Sequence, residues 1–201
     1  MIGAPVEMST PPWTSQQKKA ALERGPHKSA HEHVDFLHTK FADMINKGQW
    51  TILPAKYPNE TTVFWLSPLG VVPQQERRPR TICYYSFFGL NSETAQHAPP
   101  DAMQFGRALQ RILHRIHHAN PKLGPVYLSK IDISDGFYCI WVRASDIPKL
   151  AVAFPARENE EQLVALPLTL PMGWKESPPW FCTATETVAD LANAALNAQK
   201  A

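Results

Sequence analysis

Apolar positions along this chain follow two periodicities, one helical and one strand-like. Helical spacing predicts a first helix between Ser29 and Gly48 and a second helix that Asp101 can cap. A third helix is predicted over residues 176–199, because a Ser-Pro pair is a typical helix start. Strand-like runs lie at residues 61–66, 70–72, 81–87, 126–133, 136–143, 149–155 and 162–170. Strand pairs that alternate with helices predict an α+β fold.

The first 28 residues differ in character from the rest of the chain. They are rich in Pro, Ser, Lys and Gln and have little periodicity, which predicts a loosely ordered arm. Residues 29–201 are predicted to form one domain, and a chain of 201 residues with 44% apolar residues can bury a core. The formal charge of +2 favours neither nucleic acid nor membrane, so partners must be sought in local patches.

Three widely spaced cysteines, Cys83, Cys139 and Cys182, form no CxxC pair and predict neither a disulfide framework nor a zinc ribbon. Each is expected to be a small buried apolar residue, which suits a reducing compartment. The N-terminal residues lack a signal-peptide pattern, and no apolar run approaches the ~18 residues of a membrane span. We therefore expect an intracellular protein, cytoplasmic or nuclear, with no membrane partner.

The sequence KIDISDGFYCIW, residues 130–141, places acids inside strand-like sequence. A carboxylate at the end of an apolar strand is costly unless it is compensated, so Asp132 is a candidate ligand for Mg²⁺, which prefers carboxylate oxygen. The alternative is a solvated acid at a strand end. Gly136, which follows the second acid Asp135, would let the backbone approach a ligand such as phosphate.

Two further segments are candidates for binding. In LPLTLPMGWKESPPWF, residues 166–181, a strand-like run meets a Pro-Met-Gly turn, although an ordinary strand–loop–helix connection has the same pattern. In QQERRPRTICYY, residues 74–85, three arginines precede an apolar strand. Guanidinium groups bind phosphate through paired hydrogen bonds, and the alternative is a solvated turn.

The histidines do not have the spacing of a zinc site with a carboxylate. The six considered are His31, His33, His38, His114, His117 and His118. The segment RILHRIHH, residues 111–118, is interpreted as a solvated basic helix face, with contact to nucleic acid as the alternative.

In this order, the segments resemble the fingers and palm of reverse transcriptases from LTR retrotransposons and retroviruses, over about residues 48–197. LSPLGVVPQ, residues 66–74, resembles the fingers hairpin. RRPRTICYYSFFGLN, residues 77–91, resembles the family block that ends in DYRxLN. LSKIDISDGFYCIWV, residues 128–142, resembles polymerase motif A. Residues 166–181 resemble motif B with its signature LPxGxxxSPxxF, which is the most specific match.

The resemblance implies template-directed DNA synthesis with two Mg²⁺ ions. It implies that Asp132 is catalytic and binds metal with the carbonyl of Ile133, and that Phe137 is the gate that favours deoxynucleotides. The residues implied to bind the nucleotide are Arg80, Asp135, Gly136, Phe137, Met172 and Gly173. Those implied to contact nucleic acid are Arg77, Arg78, Ser177 and Pro178. The implied partners are an RNA or DNA template with its primer, a deoxynucleoside triphosphate and the rest of a polyprotein.

Two departures from the family pattern change this expectation. Tyr84 stands where the family block has Asp, and the Asp-Asp pair of motif C occurs nowhere in the sequence. With Asp132 alone, Mg²⁺ would keep mostly water ligands and bind weakly. We therefore expect residues 29–201 to be a truncated fingers–palm domain with an antiparallel palm sheet backed by helices, inactive by itself.

Two other functions stay open on sequence grounds. The first is a non-catalytic nucleic-acid-binding remnant that uses the basic fingers segment. The second is an unrelated Mg²⁺-dependent hydrolase that uses Asp132 and Asp135, although it does not explain residues 166–181. A palm without its motif C hairpin would expose a sheet edge and apolar surface, so poor stability in isolation is also expected.

Overall fold

The structure is a computed structural model, and it describes residues 3–61, 63–99, 103, 108–128 and 132–198. The chain divides into two compact units. Unit 1 comprises Met1–His97 and Phe137–Ser177, and unit 2 comprises Ala98–Gly136 and Pro178–Ala201. Each unit is assembled from two stretches of chain that are far apart in sequence.

Unit 1 contains the strands of the described residues and most of their helices. Its helices are α1 (Ser15–Arg24), α2 (Lys28–His31), α3 (Val34–Asn46), α4 (Lys56–Asn59) and α5 (Leu90–Glu93). Its strands are β1 (Trp50–Pro54), β2 (Leu66–Gln74), β3 (Arg77–Cys83), β4 (Ala151–Phe154) and β5 (Leu163–Pro167). Unit 2 contains α6 (Ala108–His117), and α7 (Ser177–Ala198) begins with the last residue of unit 1 and continues in unit 2. The expected α+β class is confirmed.

The strands of unit 1 form one five-stranded sheet in the order β1-β5-β4-β2-β3. Neighbouring strands are antiparallel except for β2 and β4, which pair in parallel from Leu66 opposite Ala151 to Pro68 opposite Ala153. The sheet of the described residues is therefore mixed, whereas an antiparallel sheet was expected. A long excursion separates β2 from β4, so no tight hairpin forces them to be antiparallel.

The core of unit 1 lies between α3 and the sheet. Phe41 of α3 packs against Trp50 of β1 and Phe154 of β4, with ring centroids 5.2 and 4.9 Å apart. Leu37 and Met44 lie on the same helix face and are also buried. The helical spacing in this part of the sequence therefore predicted both the helix and its buried face correctly.

The two strands predicted at residues 126–133 and 136–143 are the main error of the sequence prediction. Residues 126–128 and 132–133 are irregular, and Gly136–Cys139 is a short 3₁₀ helix. Residues 129–131 of the first predicted strand lie outside the described residues. In the described part of these two segments, extended pairing consists of isolated bridges of Trp141 with Thr169 and of Val142 with Ala4. The reason is that an apolar, β-branched sequence becomes a strand only where a neighbouring strand pairs with it.

Several other boundaries differ from the prediction. The strand β1 was not predicted. The hairpin strands β2 and β3 reach further towards their connecting turn than the predicted runs at 70–72 and 81–87, so that β3 includes the three arginines. The last helix begins at Ser177, one residue after the predicted start. Asp101, the predicted cap of the second helix, lies outside the described residues, and α6 is described from Ala108.

Residues 3–28, which belong to the segment predicted to be a loosely ordered arm, have specific contacts within unit 1. Thr14 and Gln17 form a capping box that starts α1, in which the Thr14 hydroxyl accepts the Gln17 N–H. Val6 and Trp13 are buried, and the Val6 N–H donates to the Asp146 carboxylate at 3.1 Å. These contacts come from partners distant in sequence, which local composition does not indicate.

Asp146 and Lys149 hold this N-terminal segment with a buried ion pair. The Lys149 ammonium lies 2.7 Å from the Asp146 carboxylate and also donates to the Val6 carbonyl at 2.6 Å. The side chains of Asp146 and Lys149 are only 7% and 15% exposed. Because both partners are nearly buried, removal of one leaves an uncompensated charge in a poorly solvated place.

We predict that Asp146→Ala lowers the free energy of unfolding by about 3 kcal/mol, because the Lys149 ammonium is left without its counter-charge. Urea denaturation measures this loss. The matched control is Asp43→Ala, which removes an equally short contact to Lys47 (2.8 Å) between exposed side chains. It should cost less than about 1 kcal/mol. Equal losses for the two variants would contradict the role of burial.

Candidate functional site

The Pro-Met-Gly turn follows β5 and leads to α7. Gly173 has a φ of +99°, a backbone conformation that residues with a Cβ rarely adopt. A Cβ at this position would also lie 2.7 Å from the carbonyl oxygen of Cys83, at the end of β3. The buried Ser177 hydroxyl donates to the Pro171 carbonyl at 2.7 Å and closes the turn. Geometry therefore requires glycine here, and the side chain of Met172 is left half exposed.

Asn91 binds the backbone where this turn ends, at Gly173 and Lys175. Its Nδ2 donates to the Gly173 carbonyl at 2.9 Å, and its Oδ1 accepts the Lys175 N–H at 3.0 Å. The two residues joined, Asn91 and Gly173, are 82 positions apart in sequence. We call these two hydrogen bonds the Asn91 clamp. Asn91 was not among the predicted site residues, although the quoted family block ends in Leu-Asn and could have indicated it.

Tyr84 and Tyr85 join β3 to the rest of unit 1. The Tyr85 hydroxyl is buried and donates to the Leu150 carbonyl at 2.9 Å. The ring of Tyr84 lies against Gly70 of β2, where a Cβ would be 2.6 Å from Tyr84 Cε2, and its centroid is 5.4 Å from that of His27. Tyr84 is thus a packing residue.

The hairpin of β2 and β3 contains the three arginines that were predicted to bind phosphate. Arg77, Arg78 and Arg80 lie on β3 with exposed side chains, and Arg80 pairs in register with Val72 of β2. Within the described part of the chain, none of the three forms an ion pair with a carboxylate. The hairpin therefore presents uncompensated positive charge to solvent.

The acidic segment lies in unit 2, up to Gly136. Asp132 and Asp135 are exposed, Ile133 is half exposed, and Asp135 has a φ of 53°. A Cβ on Gly136 would lie 2.7 Å from the Phe181 ring. This contact explains the glycine by the packing of a side chain, where the sequence suggested the close approach of a ligand.

The predicted site residues are divided between the two units. Unit 1 contains the following: Arg77, Arg78, Arg80, Phe137, Met172, Gly173 and Ser177. Unit 2 contains Asp132, Ile133, Asp135, Gly136 and Pro178. Within unit 1 the structure brings the end of β3 and the Pro-Met-Gly turn into contact. Within unit 2 it brings the acidic segment and α7 into contact at Gly136 and Phe181.

The histidines are used within the fold or lie on a helix surface. His38 Nε2 is hydrogen-bonded to the Pro155 carbonyl at 3.0 Å. His114 on the exposed helix α6 stacks with His118, which follows the helix, with their ring centroids 4.0 Å apart. Across the described ranges, no three His, Cys, Asp or Glu side chains form a group that could hold a metal ion.

Comparisons with known proteins do not identify the chain. No protein-family model matches it, and no curated protein matches it significantly. In the residues that the structure describes, no helix has both the length and the apolar character needed to cross a membrane. A functional assignment therefore depends on the contacts of the side chains themselves.

We predict that Gly173→Ala destabilises the protein more than Gly124→Ala. Both glycines have a φ of +99°, but a Cβ on Gly124 would meet no atom within 4 Å. The cost of a positive φ is therefore the same in both variants. The additional loss of unfolding free energy in Gly173→Ala, about 1–3 kcal/mol, measures the clash with the Cys83 carbonyl. Urea unfolding of the two variants measures the difference, and equal losses would show that the turn can shift.

Burial raises the pKa of the Cys83 thiol from 9.0 to about 12, despite a hydrogen bond with Tyr85 that opposes the shift. The unfolded chain then releases this proton at lower pH than the folded one, so stability falls as pH rises from about 9 towards 12. We predict that the free energy of unfolding falls by about 1 kcal/mol between pH 9 and 10 through this thiol. Urea unfolding at both values should show a smaller fall for Cys83→Ala, and equal falls would contradict the assignment.

Proposed function

We propose that this chain is a fingers–palm segment of a retroelement reverse transcriptase, which makes DNA on a template only when the missing motif C is supplied. The observation that carries the proposal is the Asn91 clamp. The resemblance links residues 77–91 and 166–181 only through their order along the chain, and the clamp joins the same two segments in space. A coincidental match to two separate patterns would not require their residues to meet.

The contact in unit 2 supports the proposal independently. Gly136 belongs to the segment that resembles motif A, and Phe181 is the last residue of the segment that resembles motif B. The Phe181 ring lies so close to Gly136 that no side chain fits between them. Glycine in the first pattern and phenylalanine in the second are therefore complementary, as expected for two motifs of one site.

The residues fit Mg²⁺ only in part. Asp132 is an exposed carboxylate that can bind a metal, but the described residues provide no group of three metal-ligating side chains. One carboxylate would leave Mg²⁺ mostly to water and hold it weakly. The proposal therefore assigns no chemical step to this chain alone, and we expect no primer extension by the purified protein.

Nucleotide binding is the part of the function that the chain can retain. Arg80 is exposed on the hairpin and free of ion pairs in the described structure, so it can bind a triphosphate. Met172 and Gly173 form the turn that the Asn91 clamp holds, and they are proposed to line the nucleotide. Phe137 is half-buried in the Gly136–Cys139 turn and is proposed to exclude a 2′-hydroxyl.

We predict that a deoxynucleotide complementary to the template tightens binding of the chain to a primer–template about tenfold, which corresponds to about 1.4 kcal/mol. Fluorescence anisotropy of a labelled primer–template measures this in the presence of Mg²⁺. The matching ribonucleotide should have no effect on the wild type, but it should tighten binding by Phe137→Ala, because the smaller side chain leaves room for the 2′-hydroxyl.

Two controls define this experiment. Arg80→Gln should abolish the nucleotide effect, whereas Arg157→Gln should keep it, because Arg157 is an exposed arginine that pairs with Asp35 at 3.5 Å. Equal tightening by complementary and non-complementary deoxynucleotides would overturn the proposal. Primer extension by the chain alone would overturn the claim that it is inactive.

A second candidate is a nucleic-acid-binding remnant without nucleotide recognition. The uncompensated charge of Arg77, Arg78 and Arg80 favours it, because such a hairpin attracts any phosphate backbone. It predicts salt-sensitive binding to an RNA–DNA duplex that weakens when these arginines are replaced. The anisotropy measurement with and without nucleotide separates the two functions, since the remnant would bind duplex with no response to any nucleotide.

A further inference from the structure

Phe87 is an exposed ring of unit 1 that other aromatic rings hold in place. It is 53% exposed and meets Phe88 edge to face, with ring centroids 4.8 Å apart. Phe88 meets Trp13 in the same way at 5.8 Å, and Trp13 lies 6.4 Å from the buried Trp65. This series runs from solvent into the core and fixes the orientation of the outermost ring. A ring fixed in this way loses little entropy when a ligand covers it.

A cation accompanies this ring. The Arg24 guanidinium lies 5.2 Å from the centroid of Phe87, and its Nη1 donates to the Pro26 carbonyl at 3.2 Å. In the described part of the chain, Arg24 forms no ion pair with a carboxylate. Its charge is therefore available to an anion beside the ring.

The position of Phe87 connects it with the Asn91 clamp. The neighbouring residue, Ser86, accepts a hydrogen bond from Asn91 Nδ2 at 3.1 Å, and the same amide holds Gly173. Met172, the exposed residue of that turn, is 49% exposed. The ring thus lies on the chain segment that positions the proposed nucleotide-binding turn.

We propose that Phe87 is a stacking platform for an unpaired nucleic-acid base, with Arg24 beside it to neutralise the adjoining phosphate. Aromatic side chains bind single strands in this way because every base has a flat face. One ring and one cation match one nucleotide, whereas a stable protein interface buries about 800 Å² on each partner. The inference rests on the nucleic-acid ligand of the proposed function and adds the single strand beyond the primer as its target.

The test compares two labelled primer–templates by fluorescence anisotropy. One has a single-stranded template overhang of normal nucleotides, and the other has the same overhang without bases, so both carry the same charge. We expect the wild type to prefer the overhang with bases. Phe87→Ala should weaken that complex roughly 5- to 150-fold, which is the effect of removing a stacking aromatic. The same variant should leave the complex with the abasic overhang unchanged.

The chain provides a matched control at Tyr57. This ring is 55% exposed and has the Lys56 ammonium 5.2 Å from its centroid, but Lys56 pairs with Glu161 at 3.4 Å. No aromatic ring contacts Tyr57 in the residues described. Tyr57→Ala should therefore leave binding unchanged, and Phe87→Trp should keep it.

The outcomes separate this inference from the proposed function. A nucleotide response that needs Arg80, with no preference for bases and no effect of Phe87→Ala, would overturn the platform and leave the proposed function standing. Base-dependent binding of the overhang without any response to nucleotide would support the platform and count against the polymerase. Equal losses for Phe87→Ala and Tyr57→Ala would also overturn the platform.

Discussion

The Asn91 clamp is the interaction on which the candidate site depends. At Gly173 the chain must pass so close to the Cys83 carbonyl that it has no room for a side chain and must adopt a positive φ. Such a backbone is held only where its surroundings stabilise it. Asn91 does so by satisfying the carbonyl of the glycine and the N–H of Lys175, two residues later, with one rigid amide. The end of β3, the short helix α5 and the Pro-Met-Gly turn therefore keep one fixed arrangement.

Buried polar contacts extend this arrangement to the N-terminal segment. Trp174 donates to the Thr94 hydroxyl, and the Ala95 N–H donates to the Glu7 carbonyl, so the residues after α5 contact the turn and the N-terminal segment. The Asp146–Lys149 pair binds the same segment from the other stretch of unit 1. A chain that looks loose by composition is thus ordered because its backbone groups have specific buried partners.

On the surface of unit 1, in contrast, some charged side chains lack a counter-charge among the described residues, and some aromatic rings are exposed. The hairpin arginines and Arg24 have no carboxylate partner in the described residues, and Phe87 keeps an apolar ring in water. Isolated features of this kind are common on proteins. Here the arginines of the hairpin and the ring of Phe87 belong to one segment, residues 77–91, which ends at Asn91, and the proposed nucleic-acid ligand starts from this shared position.

The sequence by itself determined the elements whose evidence is local. The helices α3 and α7, the apolar strands β2 and β5, and the glycine turn at residue 173 could all be predicted from spacing and residue type. Tertiary structure decided the rest: the order of α1, the strand β1, the irregular course of residues 126–128, and the partners of Asn91 and Gly136. A helix satisfies its own hydrogen bonds, so its pattern is visible along the chain. A strand, a buried ion pair or an amide clamp forms only with a partner many residues away in sequence. The local sequence pattern does not identify that partner.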